Sequence, residues 1–203
     1  MTQVVSPRGR ARWPKLNEPE RKFNAKGEYV VELVPANEEA STFKEQIDAL
    51  IETSYAAFSK REGKKTLKTA NLPYKNDEDQ NGEETGELAF KFKMKALVET
   101  RDGRSWEQRP DLFDAKGKQM PTTEVIGGGS IFRVSGEAFP WYTPALGFGV
   151  SLRLKGVQVL ELKAPAGGDA ASHGFKKEEG FETSEDFSEQ FAETPETGED
   201  EDF

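Results

Sequence analysis

The stretch LAFKFKMKALV, residues 88–98, decides the fold class. Its apolar residues alternate with three lysines, Lys91, Lys93 and Lys95. Because successive side chains of a strand point to opposite faces, this alternation predicts a half-buried strand with a lysine stripe on its exposed face. Lysines two apart on a strand stand about 6.6–6.8 Å from each other, a spacing similar to that of nucleic-acid phosphates.

Further strands are predicted on both sides of this stretch, at residues 28–35, 130–138 and 148–162. Residues 37–61 carry an apolar stripe at helical spacing, which predicts one long helix, packed on a core and capped by Asn37 or Ser41. A long polar loop at 63–86 and an aromatic loop at 139–149 are expected to connect these elements. Gly156 interrupts the last strand and predicts a bulge or bend there.

Five to seven strands, one long inserted helix and closely spaced turns indicate a mainly β protein. A small closed or partly closed barrel suits this pattern, and the OB-fold is the best-known architecture of that kind. A β-sandwich is the alternative.

The amino-acid composition excludes several classes of functional site. The 203 residues include no cysteine, which excludes disulfides, thiolate nucleophiles and cysteine zinc sites. The only histidine, His173, falls in a linker-like region, so we expect no catalytic residues and no cofactor.

The acidic run from Asp77 mimics the start of a calcium loop, but Leu88 stands where a bidentate Glu is needed, and we interpret the run as a solvated turn. No apolar run reaches membrane length and no secretory signal is evident, so we expect a soluble intracellular protein.

Charge divides the chain at residue 164. Residues 165–203 hold thirteen acids against two lysines, whereas residues 1–164 hold 26 basic and 24 acidic residues. The later segment has isolated phenylalanines and no apolar periodicity, so it cannot bury enough surface to offset its ordering entropy. We predict a folded domain at 1–164 and a disordered acidic tail at 165–203.

Basic and aromatic residues supply the predicted binding surface. Arg153 and Lys155 repeat the two-residue spacing on the last strand, and exposed rings near basic residues serve single-strand binders as platforms for unpaired bases. Trp13 is interpreted as either a core or a contact residue. The predicted nucleic-acid-binding residues are Tyr74, Lys75, Lys91, Lys93, Lys95, Trp106, Phe113, Arg133, Trp141, Tyr142, Arg153 and Lys155.

The chain ends in four acids and a phenylalanine: Glu199, Asp200, Glu201, Asp202 and Phe203. Acids beside an aromatic ring imitate phosphates beside a base. A flexible segment of about 39 residues has an r.m.s. reach of roughly 35 Å, which spans a small domain. The tail is therefore expected to compete with nucleic acid for the basic surface at an effective concentration near millimolar, and to dock on partners when displaced. Solubility alone is the alternative explanation, but it has no use for the phenylalanines.

An ordered set of motifs resembles the single-stranded DNA-binding proteins of short-tailed bacteriophages. The set comprises GKKTLK (63–68), LPY (72–74), FKFK (90–93), IGGGS (126–130), VSLRLKGVQVLEL (150–162) and the terminal EDEDF. The resemblance implies an OB-fold in the host cytoplasm that coats single strands during phage DNA replication, recombination and repair. It also implies a tail that contacts the phage DNA polymerase and helicase-primase, and homodimers that exchange tails. It carries over Tyr74, Lys91, Lys93, Arg153, Lys155 and Phe203 as functional positions.

Two other functions remain open from the sequence. One is an acidic-tailed adaptor that docks basic proteins and binds no nucleic acid. The other is a carboxylate-based metal nuclease, although no acidic cluster sits at a convincing strand end.

Overall fold

The structure is a computed structural model that describes residues 2–22, 24–79, 81–100 and 102–164, together with Lys176. Contacts separate the chain into Met1–Gly167 and Gly168–Phe203, and the helix and strands given below all lie in the first unit. The predicted disorder of residues 165–203 concerns positions that, apart from Lys176, lie outside the described residues.

Ten strands and one helix are present in the described ranges, more strands than the five to seven predicted. The strands are β1 (Thr2–Val5), β2 (Gly9–Glu20), β3 (Glu28–Pro35), β4 (Tyr74–Glu78), β5 (Glu84–Lys95), β6 (Leu97–Glu99), β7 (Ser105–Glu107), β8 (Asp111–Phe113), β9 (Ile131–Thr143) and β10 (Gly147–Glu161). The helix α1 spans Asn37–Glu62.

Five of these strands close into a barrel. Each pairs with two neighbours in the cycle β2–β3–β5–β10–β9 and back to β2. All of these pairings are antiparallel except that of β5 with β10, which is parallel. The closed cycle, with α1 inserted in the chain between β3 and β5, confirms the predicted OB-type barrel and rules out the β-sandwich alternative.

The barrel interior is filled by the apolar residues of the alternating strands. Phe90, Phe92, Phe132 and Phe148 are fully buried, whereas Lys91, between the first two, is exposed. The predicted apolar stripe of α1 packs on this core, where the Phe43 ring lies 4.9 Å from that of Phe90. α1 does not combine the length and apolarity that a membrane-spanning helix requires.

Two predicted loops are partly strands. The segment 63–86 contains β4 and the start of β5, and the aromatic segment 139–149 holds the ends of β9 and β10. Both were interpreted as loops because their strands lack simple apolar alternation. The predicted cap of α1 is also wrong, since Ala36 occupies that position and makes no side-chain hydrogen bond. Ser41 instead donates from Oγ to the Asn37 carbonyl, within the helix.

Ion pairs hold the β4–β5 hairpin against β2, which explains why an acidic segment forms a strand. The Asp77 side chain is only 3% exposed and pairs with the Arg12 guanidinium. Arg10 reaches the Asp77 carboxylate at 3.4 Å and the Glu87 carboxylate at 2.9 Å. The interpretation of this run as a solvated turn is therefore wrong for Asp77, whose charge is neutralised by arginine.

The predicted irregularity near Gly156 is confirmed as a bulge. Leu154 pairs with Gly136 and Gly156 pairs with the next residue back, Ser135, so Lys155 has no partner on β9. Turns are also present at Asp102–Gly103 and Lys116–Gly117, closed by hydrogen bonds from each glycine N–H to the carbonyl three residues earlier.

Gly136 lies close to the β10 backbone, so its replacement tests the β9–β10 seam of the barrel. A Cβ atom there would stand 2.5 Å from the Arg153 carbonyl oxygen, a contact that only a backbone shift relieves. We expect Gly136→Ala to lower the free energy of unfolding by about 2 kcal/mol, as overpacking typically does, in denaturant titrations. The control is Gly128→Ala, whose Cβ meets no atom within 4 Å. Equal stabilities for the two variants would contradict this account of the seam.

Candidate nucleic-acid interface

The register of the barrel gathers basic residues from different strands onto one outer face. Lys93 pairs with Val30 of β3 on one side and with Arg153 of β10 on the other. Arg153 is in turn opposite Glu137 of β9. The lysine stripe of β5 and the basic residues of β10 are therefore neighbours in space, although about sixty residues separate them in the chain.

Two adjoining hollows cross this face. One has a volume of about 740 Å³ and the other about 560 Å³. Both are lined by Lys93, Trp141, Ser151 and Leu152, so they form one continuous depression over β3, β5 and β10, which we call the groove. Nine of the predicted binding residues line it: Tyr74, Lys75, Lys91, Lys93, Lys95, Trp106, Trp141, Arg153 and Lys155.

Separate segments wall the groove at its two ends. The larger hollow is bounded by residues 70–75, where the exposed side chain of Leu72 was not predicted from sequence. The smaller hollow is bounded by the β6–β7 hairpin, whose Trp106 side chain is 48% exposed. An exposed indole beside lysines fits the role of a stacking platform.

Trp141 lies across the middle of the groove. Its ring passes over Gly149, where a Cβ atom would stand 2.5 Å from the indole, so the glycine allows the ring to lie against β10. The indole Nε1 donates to Ser151 Oγ at 2.9 Å. Trp141 is thus held in place and half-buried, and it contributes a fixed apolar surface to both hollows.

Arg153 combines a charge with a stacked ring. Its guanidinium carbon lies 3.2 Å from the centroid of the Phe139 ring. Partial burial lowers the pKa of Arg153, while the charge of Glu137 opposes that shift. An arginine remains charged under such a perturbation, so this residue offers both a cation and a flat face. Sequence analysis missed Phe139, which was assigned to a loop.

Glutamates on neighbouring strands pair with three of the groove lysines. The distance from the lysine Nζ to the nearest carboxylate oxygen is 3.7 Å for Lys91 and Glu32, 3.4 Å for Lys93 and Glu28, and 3.7 Å for Lys155 and Glu137. The Glu32 side chain is only 11% exposed, whereas that of Lys91 remains largely accessible. The groove is therefore less positive than the lysine stripe alone indicates, and its cations are already oriented.

Tyr74 has a structural partner as well as a place in the groove. Its hydroxyl donates to Asp48 Oδ1 of α1 at 2.5 Å, and Lys44 Nζ donates to the other oxygen at 2.6 Å. Its ring packs on Phe90 with 5.6 Å between centroids. Tyr74 thus joins the groove wall to α1 and to the core.

Three predicted residues lie away from the groove. Tyr142 packs against the core, where its hydroxyl accepts a hydrogen bond from Lys64. Arg133 and Phe113 both adjoin Gln158 of β10, beyond the bulge. The tail residues Glu199, Asp200, Glu201, Asp202 and Phe203 lie outside the described residues.

Comparison with known proteins gives related sequences over most of the chain. A family model described as the single-stranded DNA-binding protein of bacteriophage T7 matches residues 7–162. The single-stranded DNA-binding protein of Escherichia phage T7 is 30% identical over 171 residues, which cover 77% of this chain and 72% of the relative. That of Enterobacteria phage T3 is 28% identical over 170 residues, covering 76% and 71%.

Two solved structures of single-stranded DNA-binding proteins are similar to this chain. The crystal structure of gp2.5, a single-stranded DNA-binding protein encoded by bacteriophage T7, superposes with a TM-score of 0.68 at 25% identity and covers 90% of this chain and 99% of that one. The single-stranded DNA-binding protein of bacteriophage Enc34, solved in complex with single-stranded DNA, gives a TM-score of 0.59 at 17% identity over 81% and 89%. At this low sequence identity, the similarity to the Enc34 protein shows a shared fold only.

The Tyr74–Asp48 link makes stability depend on pH. Burial by itself raises the pKa of Asp48, but the hydrogen bonds from Lys44 and Tyr74 outweigh it and lower the pKa below the ordinary 3.8. A lowered folded-state pKa contributes stability above the unfolded value and loses it as pH falls through the folded value. We expect Asp48→Asn to cost about 1 kcal/mol at pH 7 and the difference to shrink below about pH 4.

Denaturant titrations at a series of pH values measure this effect. The matched control is Glu45→Gln, which removes an exposed carboxylate from the same helix. A loss for Asp48→Asn that stays constant from pH 7 to below pH 4 would contradict the role assigned to the link.

Proposed function

Because this chain belongs to the family of the bacteriophage T7 single-stranded DNA-binding protein, we propose that it binds single-stranded DNA in the groove and performs no chemistry on it. The observation that carries the proposal is the register that sets Lys93 beside Arg153 in an open groove that Trp106 and Trp141 line. In OB-folds generally, the face of the second and third barrel strands binds oligonucleotides, and here those strands are β3 and β5.

The two kinds of side chain in the groove have complementary tasks. The cations of β5 and β10 neutralise phosphates, which supplies affinity without regard to sequence. Trp106 and Trp141 offer faces for unpaired bases, each worth about 1–3 kcal/mol, and stacking accepts every base. Duplex DNA hides its base faces, so the groove favours single strands of any sequence.

The glutamates of the groove tune this binding. Glu28, Glu32 and Glu137 form ion pairs with Lys93, Lys91 and Lys155 on this face. A phosphate that approaches a lysine replaces one weak, solvent-exposed ion pair by another. The exchange limits affinity per contact, which suits a protein that must leave the strand when replication proceeds.

The acidic tail regulates access to the groove. Glu199, Asp200, Glu201, Asp202 and Phe203 compete with DNA for the basic groove, and DNA binding releases them to recruit phage DNA polymerase and helicase-primase. The support is the charge division at residue 164 and the aromatic terminus. In this proposal the protein acts in phage DNA replication, recombination and repair in the host cytoplasm, with homodimers that exchange tails.

An acidic-tailed adaptor without nucleic-acid affinity is the second candidate. The tail favours it, but an adaptor does not require a groove with two tryptophans and aligned cations. Binding of fluorescein-labelled oligothymidine at low salt separates the two functions, since an adaptor gives no anisotropy change.

The salt dependence of that binding tests the role of the groove lysines. The logarithm of the binding constant falls against the logarithm of salt concentration by about 0.7 for each phosphate neutralised. We expect the double variant Lys91→Ala/Lys93→Ala to lose two such contacts. Its affinity falls at least about tenfold at low salt and its slope becomes shallower by about 1.4.

Arg133→Ala is the matched control, because Arg133 is exposed on β9 but does not line the groove. It is expected to keep wild-type affinity and slope. If Arg133→Ala weakened binding as much as the lysine double variant, the groove would not be the binding site.

Removal of the last five residues tests the competition. We expect the truncated chain to bind oligothymidine several-fold more tightly at low salt, with a smaller gain at high salt because the tail is held by charge. Anisotropy titrations of the full and truncated chains measure the difference. Unchanged affinity at low salt would remove the competition from the proposal.

A further inference from the structure

Trp13 is the most exposed of the large apolar side chains in the described part of the chain, at 67%. It lies on β2, one strand beyond β3 and outside the groove. The alternative that Trp13 is a core residue is therefore wrong. Its exposure leaves a large aromatic face open to contact from solvent.

The backbone of β2 holds Trp13 in an unfavourable conformation. In the register of β2 against β3, Arg12 lies opposite Glu32 and Lys15 lies opposite Val30. The chain advances three residues on β2 but only two on β3 between these partners, which defines a bulge at Trp13 and Pro14. Trp13 has a φ of +48°, a left-handed value that aromatic residues rarely adopt, and the proline that follows restricts it further. Such strain persists only where surrounding contacts impose it, and it clusters at functional sites.

Arg12 supplies the surrounding contact. Its guanidinium lies 5.8 Å from the centre of the Trp13 ring and pairs with the buried Asp77 carboxylate. The Arg12 side chain is itself only 15% exposed, so it is fixed between β2 and the β4–β5 hairpin. In the β2–β3 register Arg12 lies opposite Glu32, whose side chain lines the groove. Trp13 is therefore next to a residue that adjoins the edge of the groove.

Lys15 lies in register with two basic residues of the groove. The register partners run from Arg153 on β10 through Lys93 on β5 and Val30 on β3 to Lys15 on β2. Three strand spacings separate Arg153 from Lys15, about 14 Å. Lys15 is exposed and makes no ion pair with the described residues, unlike Lys93, which pairs with Glu28.

We propose that the DNA path continues from the groove across β3 onto β2, where Trp13 stacks on a base and Lys15 contacts a phosphate. The inference rests on the proposed function and adds a second contact region to it. The bulge serves to turn the indole outward, and the Arg12–Asp77 pair keeps it there. A strand long enough to leave the groove gains these contacts, whereas a short strand that fills only the groove does not.

Oligothymidines of about 4 and about 16 nucleotides, the limits of what one OB-fold covers, separate the two regions. With the full chain, Trp13→Ala is expected to weaken binding of the long oligonucleotide about tenfold, the loss typical of one stacked base. Binding of the short one stays at the wild-type value. Trp13→Phe restores most of the loss, because stacking needs only an aromatic face.

Two further variants distinguish binding from folding. Trp13→Gly removes the ring and relieves the left-handed backbone, so it is expected to keep or raise the Tm while it weakens long-strand binding as Trp13→Ala does. Lys15→Gln is expected to reduce the salt slope by about 0.7 for the long oligonucleotide only. The control Leu162→Ala changes another exposed apolar side chain, near the end of β10, and leaves both affinities unchanged.

The outcomes separate the inference from the proposed function. If the wild-type chain binds neither oligonucleotide, the proposed function fails. If the wild type binds both and Trp13→Ala binds both equally well, the extension onto β2 is overturned while the groove stands. Equal weakening at both lengths, with a lowered Tm for Trp13→Gly, also overturns the extension, since Trp13 would then support the fold.

Discussion

The parallel pairing of β5 with β10 is the contact on which the rest of this structure depends. It joins two strands that are distant in sequence, closes the barrel cycle, and sets Phe92 beside Leu152 on the inside and Lys93 beside Arg153 on the outside. Because side chains alternate along both strands, one register decides core and surface together. A slip of one residue would bury cations and expose phenylalanines, so the same hydrophobic burial that stabilises the barrel also fixes the positions of the groove cations on β5 and β10.

The groove is an electrostatically balanced surface. Three of its lysines pair with glutamates of β3 and β9, and Arg153 stacks on Phe139. Trp141 is also held in place, since it lies over Gly149 and donates to Ser151, whereas Trp106 projects from the β6–β7 hairpin with much of its ring exposed. Side chains that already have partners, such as Trp141 and Arg153, lose less side-chain entropy on binding than free ones do. In the proposed function, affinity arises from several modest contacts, so binding is expected to depend on salt and to be open to competition by the acidic tail.

Sequence reasoning succeeded where a local pattern decides the structure and failed where pairing decides it. The alternation in residues 88–98 predicts the later part of β5, although that strand ends at Lys95 and residues 97–98 belong to β6. The helical stripe predicts α1 to within one residue at its end. The β4–β5 hairpin escaped prediction because its ion pairs with Arg10 and Arg12 involve residues about 65–77 positions apart. The groove glutamates escaped for the same reason, since only the register of β3 against β5 brings them to the lysines. Trp141 and Tyr142 are adjacent in sequence, yet one lines the groove and the other packs on the core.

In the proposed function, an unpaired strand crosses β3, β5 and β10 in contact with the groove rings. Photo-cross-linking of the full chain to oligothymidine that carries 5-iododeoxyuridine, followed by mass spectrometry of the linked peptides, tests this directly. The account predicts cross-links at Trp106 and Trp141, and none at Phe113 or Tyr142. Cross-links confined to Phe113 and Tyr142, with the groove tryptophans unmodified, would contradict it.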